Sequence, residues 1–507
     1  MNRKVGVLFS YLLMLIQMLS SLLFTPLLIN SLGKSEYGIY SWVNSITAYL
    51  YLLDMGIGNS IVKYAAQYRI QKDEKRQKNF LGFITLYYLF IGIVLVVIGI
   101  ILESNFTFIL GRGFEDKEIQ MAKKLFWITV LNAAATLFFG AYQKILLAYE
   151  YFSLSKSVDI LKVVSMMTLG VIALEYGGNS YNVVVINLGV TIGVGVISVL
   201  FVFSKLKIVP SIKSLDRHFT KEVIIFSSIV FLQVLATQLN SMIGQVLLGI
   251  LAPSATVILA VYGTGILIPQ YVQNIAANVN SVLMPGVVRM VEEKKGVQFI
   301  ESEMIRISRI IFIILAFIGI AFGIFGKLFI RLWVGNEYEQ SYWIAIILLF
   351  PQIIILSQSI GSQILWAMNQ HKQQAYLKLS VAIANIGVSI ILIKWNPLFG
   401  AVIATAITLI IGDVLVMNYV YRKFIKISIK RYFAGILKGT GICLLTTGIV
   451  GWMIQYILPE NWLGFVAGNG IITCIYMATM LKVGMSEYER LLFYNMLKII
   501  YRKIRWR

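Results

Sequence analysis

The sequence contains very few of the residues that bind metals or form disulfides. Its 507 residues include only two histidines and two cysteines. His218 and His371 have no nearby cluster of Cys, Asp or Glu, so the sequence predicts no metal site. Cys443 and Cys474 both lie inside long apolar runs. Their placement argues against a disulfide framework and against a catalytic thiol.

The common motifs of ATP hydrolysis and nucleophilic catalysis are also missing. The sequence contains no G-x-x-x-x-G-K-[ST] run, because Gly33-Lys34-Ser35 lacks the upstream glycine. No spacing of residues favours a Ser-His-Asp arrangement. The gaps between apolar runs leave little room for an extramembrane catalytic region. We therefore expect a protein that is not an enzyme and needs no cofactor.

Charged residues are scarce, and their distribution indicates a membrane. They make up 13% of the chain, whereas 58% is hydrophobic. Uncharged runs recur along the sequence, each near the ~20 residues that cross a bilayer. The net charge is +21, with the basic residues in short gaps between these runs. Anionic lipid headgroups are therefore the expected partner of this charge, and nucleic acid is not.

The apolar runs predict an all-α, polytopic membrane protein of about fourteen transmembrane helices. The first run follows Asn2-Arg3-Lys4 and continues to Ile29. It is too long for a cleaved signal peptide and lacks a small-x-small cleavage site, so we interpret it as an uncleaved span. The predicted spans are 5–30, 39–66, 80–102, 119–146, 158–175, 182–203, 222–251, 257–288, 304–331, 341–369, 377–394, 399–421, 433–457 and 463–482.

Lys and Arg residues concentrate on one side of these spans. Of the 44, all but eight lie at the N-terminus, in the gaps after even-numbered spans, or in the tail, with the adjoining span ends. The positive-inside rule then places both termini in the cytoplasm. The eight exceptions are Lys34, Arg112, Lys117, Lys123, Lys124, Lys327, Arg331 and Lys394.

A repeat with an offset of about 220 residues relates the first six spans to the next six. Ile145-Leu146-Leu147-Ala148 corresponds to Ile364-Leu365-Trp366-Ala367, and Arg69 corresponds to Arg289. Parallel repeats of this kind are typical of transporters, with the substrate site between the halves. The predicted domains are a six-helix lobe (1–203), a cytoplasmic linker (204–221), a second six-helix lobe (222–421), an additional helix pair (433–482) and a basic amphipathic tail (483–507) on the inner membrane surface.

The second predicted span carries a carboxylate. On a continuous helix from about Ile39 to Tyr68, Asn44, Tyr51 and Asp54 fall within about 80° of arc. A carboxylate is costly against lipid, so Asp54 is expected to face a hydrophilic cavity. The alternative is that Asp54 forms a hydrogen bond between packed helices.

Similar polar stripes occur on spans 1, 7 and 8, and the repeat relates spans 1 and 2 to spans 7 and 8. We interpret the four stripes as walls of one hydrophilic cleft, although such residues also link helices in other membrane proteins. The predicted cavity residues are Gln17, Asn44, Tyr51, Asp54, Gln238, Asn240, Gln245, Gln273, Asn274 and Asn278.

One stretch resembles a known family. Residues 32–77, LGKSEYGIYSWVNSITAYLYLLDMGIGNSIVKYAAQYRIQKDEKRQ, contain the Glu36-Tyr37-Gly38 turn, the Asp54-x-Gly56-x-Gly58 run and a basic exit. They resemble bacterial polysaccharide-transport proteins, the Wzx-type oligosaccharide (O-antigen) flippases of the multidrug/oligosaccharidyl-lipid/polysaccharide exporter (MOP) superfamily. The resemblance implies a bacterial cytoplasmic membrane protein, two lobes in a V-shaped arrangement, alternating access and a lipid-diphosphate-linked oligosaccharide as cargo.

The additional helix pair resembles the lipid II flippase branch, where extra helices can accommodate a polyprenyl tail. A diphosphate needs cations, and eight basic residues lie near the predicted inner mouth, where each could equally serve as an ordinary anchor. On an uninterrupted helix, Lys63 would point about 180° away from Asp54. The principal candidates are Lys63, Arg69, Lys144 and Arg289, and the others are Lys162, Arg306, Arg309 and Lys378.

Two alternatives remain open at this point. The first is a cation-coupled multidrug exporter, whose cavity would have more acidic and aromatic character. The second is a membrane partner of polysaccharide assembly that does not transport. If the chain is a flippase, a polysaccharide polymerase and chain-length proteins are the expected partners.

The charge distribution generates a prediction about topology. Reporters fused after Arg76, Arg217 or Arg431 should read cytoplasmic, because these residues lie on the basic side of the chain. Reporters fused after Asp116 or Glu337 should read external. Paired alkaline phosphatase and green fluorescent protein fusions measure the side of the membrane on which each fusion point lies. A consistent inversion would contradict the predicted orientation.

Overall fold

The computed structural model describes residues 3–111, 113–211, 217–293, 296–368, 370–491, 493–495 and 498. The described residues form helices and connecting turns, with no strand among them. The helices are α1 (Arg3–Leu50), α2 (Ile57–Ile70), α3 (Glu74–Ser104), α4 (Phe106–Leu110), α5 (Asp116–Ala148), α6 (Phe152–Glu175), α7 (Ser180–Ser204), α8 (Arg217–Leu251), α9 (Ala255–Glu292), α10 (Val297–Val334), α11 (Gln340–Ser357), α12 (Ser359–Ala367), α13 (His371–Trp395), α14 (Pro397–Thr408), α15 (Met417–Phe424), α16 (Ile429–Leu437), α17 (Thr440–Gln455) and α18 (Trp462–Thr479).

Short segments of other helix types interrupt this order. Tyr51–Asp54 and Asn336–Tyr338 form 3-10 turns, and Leu409–Val416 and Met480–Gly484 are π-helical. Leu409–Val416 continues α14 into α15, so these three segments together form the counterpart of the predicted span 399–421. The prediction of an all-α membrane protein is confirmed.

The described helices include twelve that are long and apolar enough to cross a membrane. The count rises to thirteen if α16 and α17, which meet at a 47° bend, form one span. The predicted number of about fourteen is therefore approximate. One of the twelve, Phe9–Asp54, has 46 residues and joins the first two predicted spans. At ~1.5 Å per residue its length along the helix axis adds up to about 70 Å, more than twice the ~30 Å hydrocarbon thickness, so it is long enough for two spans.

Two breaks divide the N-terminal helices. Gly33 has φ 71° and ψ 175°, a conformation open to glycine, and interrupts α1 between the two predicted spans. The predicted continuous helix from Ile39 to Tyr68 is wrong. It ends in the 3-10 turn, Met55 and Gly56 take the left-handed φ values 49° and 75°, and α2 then begins at Ile57. The polar stripe calculated for a straight helix therefore stops at Asp54.

Contacts divide the chain into two compact units. The first comprises Met1–Gly263 and Lys378–Ala404. A buried cluster of this unit joins α2, α3 and α5 through aromatic and aliphatic side chains, including Tyr68, Phe80 and Leu146. Elsewhere in this unit Trp42 of α1 is fully buried and donates to the carbonyl of Val246 at 3.5 Å. These contacts pack α2 against α3 and α5, and they link α1 to α8.

The second unit comprises Thr264–Leu377 and Thr405–Arg507. A buried cluster of this unit includes Ile364 and Leu365 of α12, both fully buried. In the first unit Ile145 and Leu146, the matching residues of the sequence repeat, are buried in the cluster of α2, α3 and α5. These two matched pairs thus have the same packing role within each unit. The predicted lobe boundaries stay a prediction.

Helix α16 is held by α10 at both of its ends. Glu301 accepts from the Ser428 backbone N–H at 3.2 Å and pairs with Arg431 at 3.3 Å. Arg309 donates to the carbonyl oxygens of Gly435 at 2.8 Å and Lys438 at 2.6 Å. A carboxylate therefore faces the helix N-terminus and a guanidinium faces the C-terminus, which matches the helix dipole.

Arg309 also reaches the end of the last span. It pairs with Glu489 at 2.8 Å and donates to the carbonyl of Gly484. The side chains of Arg309 and Glu489 are 10% and 5% exposed. The predicted amphipathic tail lies largely outside the described residues, including Met496, Ile499, Arg502 and Trp506, and so does 212–216 of the predicted linker.

This geometry predicts a large loss of stability for Arg309→Met. The substitution leaves a buried carboxylate and three carbonyl oxygens without their donor, which should cost about 3–5 kcal/mol. Arg306→Met is the matched control, since Arg306 forms a half-exposed pair with Glu303 on the same helix and should cost under ~1 kcal/mol. Thermal unfolding in detergent measures both. Equal melting temperatures would contradict the assignment of Arg309.

Candidate functional site

The break between α1 and α2 turns the backbone of α2 towards Asp54. Oδ2 of the carboxylate accepts from the Gly58 N–H at 3.3 Å. Oδ1 accepts from the Tyr88 hydroxyl of α3 at 2.5 Å. The neighbouring Tyr87 hydroxyl donates to the Leu53 carbonyl at 3.1 Å. Asp54 thus satisfies an N–H at the start of α2, where the helix dipole favours a negative charge.

Gly58 leaves a small space between Asp54 and Lys144 of α5. A Cβ atom at Gly58 would lie 3.3 Å from Asp54 Oδ2 and 3.7 Å from Lys144 Cε. The Lys144 ammonium is half-buried and forms no hydrogen bond or ion pair with the described residues. One carboxylate and one unpaired ammonium therefore flank the same space, within the first unit.

The other predicted cations have different surroundings. Lys63 is exposed on α2, with Nζ 4.9 Å from the centre of the Tyr64 ring. Arg69 donates to the Ala148 carbonyl at 3.0 Å and pairs with Glu150 at 3.3 Å. These contacts tie the end of α2 to the end of α5.

Basic residues of the second unit are engaged locally. Arg289 has a 79% exposed side chain and lies 3.8 Å from Glu293, one turn along α9. Arg306 pairs with Glu303 at 2.8 Å. The contacts of Arg309 with α16 and Glu489 give it a structural role. Among the four principal candidates, Lys144 is the cation that the structure brings beside Asp54.

The predicted cavity residues divide by exposure. Gln245 of α8 is buried and donates to the Ser41 hydroxyl of α1, a contact that links two helices. Asn44 is exposed and donates to the Tyr40 carbonyl at 3.0 Å. Two further residues, Gln17 and Asn274, are exposed. Four are partly buried: Tyr51, Gln238, Asn240 and Gln273. The side chain of Asn278 lies outside the described part of the chain. Their predicted role in a cleft stays a prediction.

Sequence reasoning did not identify Tyr88 or the function of Gly58. Tyr87 and Tyr88 form an adjacent pair in the apolar run of α3, which is a detectable signal. Tyr88 cannot be assigned to Asp54 from spacing, since the two residues come from different helices. The sequence also could not place Lys144 beside Gly58 without the packing of α5 against α2.

A polytopic helical chain with a broken span and an ionisable site beside the break has an architecture typical of membrane transporters. The chain belongs to the polysaccharide biosynthesis protein family, whose model matches residues 4–291, more than half of the sequence. A search of the curated proteins gives no match. The predicted resemblance to polysaccharide-transport proteins of the MOP superfamily is confirmed.

Solved structures share the fold along most of the chain. The lipid II flippase MurJ, in an inward closed conformation, has a TM-score of 0.69 at 14% identity and covers 94% of this chain and 97% of its own. An inward-facing MATE family multidrug resistance transporter has a TM-score of 0.63 at 16% identity, and the match covers 81% of this chain and 95% of the transporter. A MOP superfamily transporter from Pyrococcus furiosus has a TM-score of 0.56 at 14% identity, and the match covers 83% of this chain and 96% of that transporter.

Asp54 yields a prediction that separates charge from hydrogen bonding. Asp54→Asn keeps an acceptor oxygen for Tyr88 or Gly58 but removes the negative charge beside Lys144. We expect normal insertion and folding, with transport reduced about tenfold, equivalent to ~1.4 kcal/mol. Asp54→Glu should retain part of the activity. Surface polysaccharide in a complemented deletion strain, at matched protein amounts, is the measurement.

Asp73→Asn is the control for this series. Asp73 caps α3 by accepting from the Arg76 N–H at 2.9 Å, and asparagine caps equally well. Its transport should equal that of the wild type. If Asp54→Asn also matches the wild type, Asp54 acts through hydrogen bonding alone.

Proposed function

We propose that this protein moves a polyprenyl-diphosphate-linked oligosaccharide from the inner to the outer leaflet of the bacterial cytoplasmic membrane. The family model describes polysaccharide biosynthesis, and the fold is that of MOP-type transporters. Alternating access would expose the cargo first to one leaflet and then to the other. The product would supply surface polysaccharide assembly, such as O-antigen or capsule, and a polymerase would consume it at the outer face.

The observation that supports an anionic cargo is the unpaired ammonium of Lys144. The Lys144 ammonium has no ion-pair or hydrogen-bond partner among the described residues, although the Asp54 carboxylate lies across the Gly58 space, so its donors can bind an anion. Diphosphate oxygens would satisfy it through charge-assisted hydrogen bonds. Lys63 lies on α2, the helix that starts at the break, and its exposed ammonium could approach the same headgroup. The polyprenyl tail needs no polar partner and would remain in lipid.

The second candidate function is export of cationic drugs. The fold similarity to MATE transporters and the carboxylate of Asp54 favour it. The position of Lys144 opposes it, because an ammonium on the opposite side of the Gly58 space would repel a cationic cargo. The fold does not separate the two functions, since both kinds of protein share it.

Deletion of the gene tests the proposed function. Lipid-linked oligosaccharide should accumulate in the inner leaflet, and growth in the presence of cationic drugs should be unchanged. Wild type and Lys156→Gln should restore export, because Lys156 pairs with Asp159 at 3.3 Å on α6. Lys144→Gln should restore it about tenfold less well, because it removes the free charge. Normal polysaccharide combined with increased drug sensitivity would support the exporter instead.

A further inference from the structure

A second cationic site lies at the other end of α5. A cavity of about 690 Å³ opens beside the first three turns of this helix, within the range of sizes that hold small-molecule ligands. It belongs entirely to the first unit. Its lining combines one face of α5 with the start of α7: Lys117, Gln120, Met121, Lys124, Leu125, Trp127, Ile128, Asn179 and Tyr181.

The two lysines of this cavity are available to a ligand. Neither Lys117 nor Lys124 forms a hydrogen bond or ion pair in the part of the chain that the structure describes, and both are exposed. Lys117 also lies in the first turn of α5, where a cation opposes the helix dipole by about 0.3–1 kcal/mol. Helix stability therefore does not explain this residue, whereas an anionic ligand would.

Two nearby carboxylates, Glu103 and Glu118, are engaged by other groups. Glu103 pairs with Lys123 at 3.0 Å. Glu118 accepts from the Glu115 N–H at 2.9 Å, from the Thr256 hydroxyl at 3.1 Å and from the Ser35 hydroxyl. No acidic side chain is among the described residues that line the cavity. The positive charge of the two lysines is therefore not neutralised from within the site.

Polar and aromatic groups complete the cavity. Gln120 supplies an amide near the lysines, and Trp127 and Tyr181 supply rings on which the apolar face of a sugar can pack. The Trp127 ring is held by contact with α3, because it lies 3.4 Å from where a Gly99 Cβ would be. Trp and Tyr are also the residues that prefer the headgroup layer of a membrane.

Helix geometry gives the distance between this cavity and Lys144. Lys124 and Lys144 are twenty residues apart on the uninterrupted helix α5. The separation corresponds to about 30 Å, which is the thickness of the hydrocarbon core. The cavity and Lys144 are therefore separated along α5 by about one hydrocarbon thickness, which lets the two sites serve opposite leaflets.

We propose that this cavity holds the diphosphate and first sugars of the lipid-linked oligosaccharide after it has crossed the membrane. The inference rests on the proposed function and extends it: α5 presents one cationic site in each leaflet, Lys144 for the incoming headgroup and Lys117 with Lys124 for the outgoing one. A receiving site stabilises the translocated headgroup and so favours release of the tail into the outer leaflet.

The test uses the full chain in phosphatidylcholine nanodiscs with a photoreactive polyprenyl diphosphate as the probe. Adducts should map to two regions, residues 117–128 and the surroundings of Lys144. The double variant K117Q/K124Q should lower the adducts in 117–128 about fivefold, the effect of losing exposed charge contacts. Adducts near Lys144 should not change. K123Q is the matched control, since Lys123 lies at the same depth but pairs with Glu103.

Competition identifies the occupant. Excess phosphatidylglycerol should leave the adducts in 117–128 unchanged, whereas unlabelled polyprenyl diphosphate should abolish them. Displacement by phosphatidylglycerol would mean an ordinary phospholipid site and would overturn the inference. Adducts near Lys144 alone would also overturn it while preserving the proposed function. Absence of adducts in both regions would count against the proposed function itself.

Discussion

The structure depends on the rule that a backbone group freed inside a membrane must find a partner in the protein, because lipid offers none. At the break before α2, the Met55 N–H bonds to the Leu52 carbonyl at 2.9 Å, while Asp54 accepts from the Gly58 N–H. At the bend after α16, the carbonyls of Gly435 and Lys438 accept from Arg309. In each unit, therefore, an ionisable side chain forms hydrogen bonds with backbone groups at a break between helices.

This constraint gives Asp54 two tasks. Its carboxylate completes the start of α2, and it also sets the charge beside the space at Gly58. A residue with both tasks links the local backbone to whatever occupies that space. Arg309 differs, because its partners are all protein groups and leave no room for a ligand.

The sequence predicts those parts of the fold that depend on length and hydrophobicity. Each predicted span has a helical counterpart, because twenty apolar residues have one favourable conformation in lipid. The site was less predictable. The presence of Gly56 does not by itself predict the left-handed conformations of Met55 and Gly56. These conformations rotate α2 relative to α1, so helical faces calculated for a continuous helix are wrong beyond the break. Pairing of Tyr88 with Asp54 depends on tertiary packing, which periodicity does not encode.

The contacts of Arg309 have a consequence for how the chain is made. Its partner Glu489 lies 180 residues later, which at 5–20 residues per second takes roughly 10–40 s to synthesise. Throughout that interval α10 carries a guanidinium whose carboxylate does not yet exist. The ion pair that ties α10 to the segment after the last span therefore forms only after Glu489 has been synthesised.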